Sequence, residues 1–305
     1  MHADYANPRI DGHDKDADAV AGAVYADPAK VVWVGAMAVL GIVGAALTMT
    51  TGAVVLFVVS TAVTLCLGHS LGMHRRFIHK SYRCPKWLEY LFVHFGVLVG
   101  LAGPFGMLRT HDLRDWAQRQ TACHPYFSHA SRWHKDLLWQ LFFSIRLERP
   151  PRIDIDADYA SDPVYRVMER TWHFQQLPWA ILFYAIGGWG WVAWGIGSRV
   201  TVSIFGHWLI GYFAHNEGER RWHVEGAAVQ GHNVRWTALL TMGECWHNNH
   251  HAFPGSARLG LEPEQWDPGW WVLQGMEHVG LARDFVLPEQ LRPRAELVDL
   301  AKTLR

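Results

Sequence analysis

Three histidines fall within five residues of one another late in the chain. His247, His250 and His251 occur in the stretch His247-Asn-Asn-His-His. On a helix, positions i, i+3 and i+4 share one face, so the three imidazoles point in the same direction. Neutral imidazole is a common ligand of zinc, copper and iron. The spacing therefore predicts one half of a metal site.

A second histidine-rich stretch comes directly after a long apolar run. His74 and His79 are five residues apart, which is not a same-face spacing on an α-helix. Ligation by both would need an irregular turn, or bonds to two different metals. His69 lies further up the same segment, where it is either a further ligand or a buried polar group.

A third set of candidates begins at His111. His111 and Asp115 stand at i and i+4, so they share one helix face. His207 interrupts an apolar run, where an ionisable group is costly and usually functional; the alternative is a neutral histidine hydrogen-bonded inside a helix bundle. Three more histidines are either ligands or surface residues: His124, His129 and His134.

Apolar runs of membrane-span length flank these residues and must position them. About 20 apolar residues cross a bilayer as a helix, and a basic stretch such as the one after the second run favours the cytoplasmic side. We therefore expect an all-α membrane domain of two helical hairpins, with the histidine-rich regions together on the cytoplasmic side. The second hairpin should turn at residues 195–199. The expected spans are residues 31–48, 53–71, 178–196 and 200–214.

The remaining sequence sets limits on organisation and function. We predict a mobile cytosolic tail at 1–30, one domain at 31–285 and a C-terminal tail at 286–305. The formal net charge of +0 gives no electrostatic argument for nucleic acid as a partner. Seventeen tryptophans suit membrane interfaces. Four cysteines without a CxxC pair disfavour a disulfide scaffold or a zinc ribbon, and the absence of HExxH disfavours a zinc protease.

At the level of these motifs the sequence resembles the membrane fatty acid desaturase family, in particular the acyl-CoA Δ9 type. The stretch His74–His79 is similar to the first histidine box of that family, and KSYRCPKWLEY continues the match. Trp246–Pro254, which reads WHNNHHAFP, is similar to the last box, and Gly243-Glu244 before it also fits. DPGWWVLQGMEHVGLARD resembles the closing helix, so the similarity runs from about Thr61 to Asp284.

The resemblance implies four transmembrane helices under a cytosolic helical cap, with two iron ions beside a bent tunnel for an acyl chain. It implies an enzyme that uses O2 and two electrons to place a double bond in a fatty acyl-CoA or acyl-lipid. His207 falls where the family has a further ligand, and Ser203 where it has a water-bridged asparagine. The implied ligands are His74, His79, His111, His207, His247, His250 and His251. Candidates for holding their second ring nitrogens are Asn233, Glu244 and Asn248.

The middle histidine box departs from the family pattern. The family has H-x-x-H-H, whereas this chain has Arg114 and Asp115 in place of the last two histidines. Three explanations remain open. Asp115 replaces a histidine as a ligand, since carboxylate is a good donor to iron; His124, His129 or His134 folds back to complete the shell; or the site holds one metal or none, and the activity is changed or lost.

An electron source must be separate from this chain. The sequence has no Gly-rich dinucleotide motif between a strand and a helix, no fused haem domain and no iron–sulfur cysteine pattern. We therefore expect a ferredoxin, cytochrome or reductase as partner. Three other functions stay open at this point: a hydroxylase of the same superfamily, a membrane cytochrome with histidine-ligated haem, and a non-catalytic lipid-binding relative.

Overall fold

Helices make up most of the chain in the computed structural model, which describes residues 8–10 and 16–303. Short 3₁₀ turns occur at Arg235–Thr237 and Pro288–Gln290. In chain order the helices are α1 (Pro28–Leu47), α2 (Thr51–Ile78), α3 (Lys86–Leu98), α4 (Pro104–Arg119), α5 (Pro125–Ser128), α6 (Trp133–Phe142), α7 (Ala157–Ser161), α8 (Pro163–Arg170), α9 (Gln176–Asn216), α10 (His247–Ala252), α11 (Pro268–His278) and α12 (Leu300–Thr303).

Three of these helices are long and apolar enough to cross a membrane. Helices α1, α2 and α9 have 20, 28 and 41 residues, with mean hydropathies of 2.0, 2.1 and 1.3. Asp27 caps the N-terminus of α1 and Thr50 that of α2, each by accepting hydrogen bonds from backbone N–H groups. Only residues 48–50 separate α1 from α2, so a tight turn joins the first two predicted spans.

The predicted third and fourth spans both lie inside α9, but the turn between them is not at 195–199. Residues 193–198 are helical. The chain instead turns at Gly188, whose φ of 65° and ψ of −160° belong to a region that is essentially restricted to glycine. Phe183 and Ile196 pack in one apolar cluster, although they are 13 residues apart. The arm 176–187 therefore folds back along the arm 189–216.

Arg199 explains why the chain stays helical where polar residues suggested a turn. Its buried guanidinium donates to the carbonyl oxygen of Gly195 at 2.8 Å, to the side chain of Gln176 at 2.5 Å and to the carbonyl oxygen of Leu98. A buried cation is tolerated when its donors are satisfied in this way. Arg199 thus ties α9 to the end of α3 and does not mark a solvent-exposed loop.

Two small antiparallel sheets correct the all-α expectation. Strand β1 (Gly22–Ala26) pairs with β2 (Phe143–Leu147), and β3 (Trp222–Val224) pairs with β4 (Leu297–Asp299). Strands β1 and β4 belong to the predicted tails 1–30 and 286–305, so both tails are partly built into the fold. The rest of the mobile-tail prediction, at residues 1–7 and 11–15, lies outside the described residues.

A close helix contact fixes the part of α2 that carries histidines. A Cβ atom at Gly68 would lie 2.4 Å from the carbonyl carbon of Phe95, and one at Gly72 would lie 2.5 Å from that of Phe92. Only glycine allows α3 to approach α2 so closely. The second half of α2 is therefore held rigidly against α3, and this contact also fixes the position of the histidines that it carries.

Candidate metal centre

Seven histidines converge in two groups that could each hold a metal ion. Within each group the possible ligand atoms all lie within 4.8 Å of one another. The two groups are adjacent, because the rings of His247 and His250 stack with centroids 5.6 Å apart. The four-histidine group is His74, His79, His111 and His250, and the three-histidine group is His215, His247 and His251.

The five-residue spacing of His74 and His79 works because the end of α2 is wound more widely than an α-helix. Residues Thr64–Ile78 form a π-helix, and the N–H of His79 donates to the carbonyl oxygen of His74 at 3.0 Å. Such i to i+5 bonding brings residues five apart onto one face, and it recurs at functional sites. The two ring centroids are 4.8 Å apart, which supplies the irregular turn that the sequence required.

One short helix contributes to both groups. Helix α10 directs His250 to the four-histidine group, and His247 and His251 to the three-histidine group. The side-chain oxygen of Asn233 accepts from the backbone N–H groups of Asn248 and Asn249, at 2.9 and 3.4 Å. Asn233 thus caps α10. The hydrogen bonds described for Asn233 and Asn248 are made to backbone and amide groups and not to imidazole rings.

The distances between ring nitrogens fit a metal ion. The Nε2 atoms of His79 and His111 are 3.3 Å apart, and Nε2 of His247 is 3.0 Å from that of His215 and from that of His251. Two imidazoles bound at right angles, each at about 2.1 Å from one ion, would have nitrogens about 3.0 Å apart. The residues present therefore suit a pair of divalent transition-metal ions.

Three of the imidazoles have a partner that orients the other ring nitrogen. Nδ1 of His74 lies 2.6 Å from Oε2 of Glu244, and Nδ1 of His111 lies 3.3 Å from Oδ1 of Asp112. Nδ1 of His215 donates to the carbonyl oxygen of Gly211 at 2.7 Å. These contacts leave Nε2 as the free nitrogen, which is the usual support of a metal-binding histidine. Glu244 was a candidate from the sequence, whereas Asp112 was not.

Burial favours the neutral form of four histidines in the two groups. Burial lowers the pKa values of His79, His250 and His251 well below the usual value, and it lowers the pKa of His247 to about 3. A neutral imidazole has the lone pair that a metal requires. Burial alone would raise the pKa of Glu244, but the contact with His74 outweighs it and leaves this pKa below its usual range.

The two unusual residues of the middle box have different surroundings. Asp115 lines the same cavity as the histidines, but its carboxylate accepts from Nε of Arg119 at 3.0 and 3.1 Å, and it belongs to neither group. Arg114 also lines this cavity and belongs to neither group. One of its terminal nitrogens lies 2.6 Å from Nε2 of His129, and the other donates to Gln140 at 2.7 Å.

His215, and not His207, belongs to the three-histidine group. The ring of His207 packs edge-on against His69, with centroids 5.1 Å apart, and neither residue joins a group. Their roles as ligands therefore stay predictions. Helix α9 continues to Asn216 and carries His215 to α10, where the rings of His215 and His247 lie 4.6 Å apart between centroids. The signal for His215 was a histidine where the last apolar run ends.

The other candidates lie near the centre without joining it. His129 donates from Nδ1 to Asp136 at 2.8 Å and stacks on His215 at 5.2 Å between centroids. His124 caps α5 by accepting from the backbone of Tyr126. His134 is exposed, and Ser203 is buried within α9. Among the described residues, no short contact between ring nitrogens links His124, His129 or His134 to either group. A role of these histidines or of Ser203 as ligands therefore remains a prediction.

A cavity of about 280 Å³ connects the two groups. Residues of both groups line it, and so do Leu101, Leu141 and Ile204. Binding sites for small molecules are typically concave and mostly apolar, with few polar groups placed to orient the ligand. A cavity with convergent imidazoles on one wall and aliphatic side chains on another can hold an apolar chain beside metal ions.

Long apolar helices and two groups of convergent imidazoles around one cavity define a histidine-rich membrane protein with a candidate dinuclear metal centre. The sequence model of the fatty acid desaturase family matches residues 50–261. The chain belongs to the fatty acid desaturase family, and it is therefore a desaturase-type oxidoreductase.

Individual relatives cover most of the chain. It is 35% identical to the sn-1 stearoyl-lipid 9-desaturase of Anabaena variabilis over 75% of this chain and 82% of that protein. It is 32% identical to the Delta-9 acyl-lipid desaturase 1 of Arabidopsis thaliana, covering 75% and 73%. It is 31% identical to the acyl-CoA C20 Delta5-desaturase of Anemone leveillei, covering 76% and 73%.

Proposed function

We propose that this protein introduces a double bond into a fatty acyl chain, using O2, two electrons and two iron ions. The observation that carries the proposal is the convergence of four and three histidines on one cavity with aliphatic walls. The relatives are named as stearoyl-lipid, acyl-lipid and acyl-CoA desaturases, which supports a fatty acyl-CoA or acyl-lipid as substrate.

The proposed ligands divide between the two ions. One ion is held by His74, His79, His111 and His250. The other is held by His215, His247 and His251, with Asp115 as a carboxylate ligand. Asp115 keeps its hydrogen bond with Arg119 in this arrangement, because ligating carboxylates are commonly hydrogen-bonded in turn. A carboxylate in place of a histidine retains a centre for iron, which accepts mixed histidine and carboxylate shells.

The chemistry divides between the metal and the protein. A pair of irons with O2 supplies the oxidising power that unactivated C–H bonds require. In the overall reaction one C–H bond breaks on each of two neighbouring carbons and a C=C bond forms, while O2, two electrons, two protons and the two hydrogens removed from the chain become two waters. The protein holds the imidazoles in position through Glu244, Asp112 and the carbonyl of Gly211. The cavity walls place the chain and exclude water.

We propose four membrane crossings with the metal centre on the cytoplasmic side. The two arms of α9, 176–187 and 189–216, would be the third and fourth crossings, although the first arm is short. Arg75, Arg76 and Lys80 at the end of α2 favour the cytoplasmic side by the positive-inside rule. The electrons would arrive there from a separate ferredoxin, cytochrome or reductase. Residues 31–285 would form this domain.

Two measurements test the proposal together. Metal content is measured by plasma mass spectrometry on protein purified in mild detergent, and membrane fatty acids from a host that expresses the protein are analysed by gas chromatography with mass spectrometry. We expect about two irons per chain and a new monounsaturated fatty acid. His250→Ala should lose iron and product while the protein still inserts into membranes. A hydroxylated product, or full activity without iron, would overturn the proposal.

A further inference from the structure

Two cationic side chains form part of the cavity wall, and we call this part the cationic wall. Lys30 and Arg114 both line the cavity and are both partly buried. They come from different elements, since Lys30 is in the first turn of α1 and Arg114 is in the middle of α4. A purely apolar chain gains nothing from two cations in its binding site, and burying them costs free energy. Their presence requires another explanation.

A continuous hydrogen-bond network holds the two cations side by side. Nζ of Lys30 and the hydroxyl of Tyr126 both donate to the carbonyl oxygen of Phe143, at 2.8 and 3.3 Å. Gln140 donates to the carbonyl oxygen of Tyr126 at 2.8 Å and accepts from Arg114 at 2.7 Å. The guanidinium carbon lies 5.8 Å from the centre of the Tyr126 ring. Strand β2 and helices α5 and α6 thus fix the wall.

Two carboxylates near the cations, those of Asp27 and Asp136, do not line the cavity. Among the described residues, no carboxylate lies within ion-pair distance of Lys30 or Arg114. Asp136 is separated from Arg114 by His129, from which it accepts at 2.8 Å, and it also accepts from Trp208 at 2.9 Å. Asp136 does not line the cavity, and neither does Asp27, the cap of α1.

The acidic residues that do line the cavity are already occupied. Asp115 accepts from Arg119, and Glu244 contacts His74. Both lie on the side of the cavity where the histidines converge. The cavity surface near Lys30 is therefore positive, and it carries the hydroxyl of Tyr126 and the amide of Gln140 as further polar groups.

We infer that Lys30 and Arg114 bind an anionic oxygen group, carboxylate or phosphate, at the head of the acyl substrate. Charge-assisted bonds to carboxylate and phosphate are among the strongest that lysine and arginine make. This inference rests on the proposed function and specifies its substrate class: an acyl chain with an acidic head, not a neutral glycolipid or diacylglycerol. Arg114 is a specificity residue in this role and not a vestige of the middle box.

The proposed head-group site lies close to the three-histidine group. Arg114 contacts His129, and His129 stacks on His215 of that group. The head of the substrate would therefore be held one imidazole ring away from a proposed metal ligand.

Binding without turnover tests the inference. The protein is purified in an uncharged maltoside detergent, and dissociation constants are measured for stearate, stearoyl-CoA, distearoylphosphatidylglycerol and methyl stearate. Wild type should bind at least one anionic probe roughly tenfold or more tightly than methyl stearate, since a hydrogen bond to a charged group is worth about that factor or more. The probe that binds best identifies the source: free acid, CoA ester or phospholipid.

Matched variants assign the preference to the two cations. Lys30→Gln and Arg114→Gln should each reduce the preference for the anionic probe roughly tenfold, whereas binding of methyl stearate and metal content stay as in wild type. Arg109→Gln, on the exposed face of the same helix as Arg114, should leave the preference unchanged. Arg114→Lys should retain part of the preference, and it serves if the glutamine variant does not fold.

Two results would overturn the inference. One is equal affinity of wild type for methyl stearate and for the best anionic probe. The other is a preference that survives in the Lys30 variant and in both Arg114 variants. These results are distinct from a failure of the proposed function, which would appear as a missing unsaturated product while the binding preference and its loss in the variants could still be measured.

Discussion

Replacing Glu244 tests whether the four-histidine group holds a metal ion through oriented imidazoles. Oε2 of Glu244 lies 2.6 Å from Nδ1 of His74, and Oε1 accepts from the hydroxyl of Ser70 at 2.6 Å. Loss of such a partner typically weakens metal binding 10- to 100-fold, which corresponds to about 1.4–2.7 kcal/mol. Glu244→Gln keeps the shape and an acceptor but loses the charge, so we expect the lower value. Glu244→Ala loses both, so we expect the higher one.

The two groups provide an internal control. Glu244 supports a ring of the four-histidine group, whereas His215 in the other group is oriented by the carbonyl of Gly211. Iron affinity is measured by competition with a chelator on detergent-purified protein. Only one of the two bound ions should be weakened in the variants. Glu264→Gln, at an exposed position, should bind both ions as wild type does.

Two outcomes would refute this reasoning. Affinities of both ions within threefold of wild type in Glu244→Ala would show that the carboxylate does not support a metal ligand. Equal weakening of both ions would indicate a general loss of structure. Thermal unfolding of the metal-free variants separates the second outcome from a local effect, because a general loss of structure lowers the melting temperature even without metal. We expect a local effect, since Arg75 also has an ion pair with Asp267 at 2.7 Å that does not involve Glu244.

Three further predictions concern α9 and pH. His215→Ala should lose one of two bound metal ions, whereas His207→Ala should keep both; plasma mass spectrometry decides, and equal losses would contradict the grouping. Gly188→Ala should destabilise the protein by about 1–3 kcal/mol, because φ is 65° there, whereas Gly206→Ala meets no neighbouring atom and should be neutral in thermal unfolding. The metal-free protein should lose stability as pH falls below about 6.5.

The sign of the pH effect follows from the depressed pKa values. Burial holds the pKa values of His247, His250 and His251 below the usual value, so the unfolded chain binds more protons than the folded chain once pH falls below about 6.5. Each such imidazole contributes a slope of up to about 1.4 kcal/mol per pH unit. Melting temperatures recorded between pH 7.5 and 5 check this, and a melting temperature that is constant or rises toward pH 5 would contradict it.

Local patterns were sufficient for those parts of the site that lie within one turn of a helix. His247, His250 and His251 share a face at i, i+3 and i+4, and the structure places them on one short helix. Their division between two groups was not predictable, because it depends on which distant helices lie on each side of α10. Glu244 was predictable from its place next to the last box, and the structure brings it to His74.

The positions that sequence reasoning missed depend on tertiary structure. The turn in α9 was expected at residues 195–199. The buried guanidinium of Arg199 instead donates to Gly195 and Gln176 within α9 and to Leu98 at the end of α3, so the chain stays helical there. His207 was favoured over His215 because it interrupts an apolar run and falls where the family has a further ligand. Strands β1 and β2 lie more than 100 residues apart in the chain, so no local pattern could reveal their pairing.

The sharing of α10 between both histidine groups means that one short helix positions candidate ligands of both groups. The helix has six residues, and an isolated helix of that length is unstable in water. Its conformation therefore depends on its contacts with the rest of the fold, such as the hydrogen bonds that Asn233 accepts from the backbone N–H groups of Asn248 and Asn249. We expect a substitution that displaces α10 to disturb both groups at once, whereas a substitution of Glu244 or His215 should disturb one group.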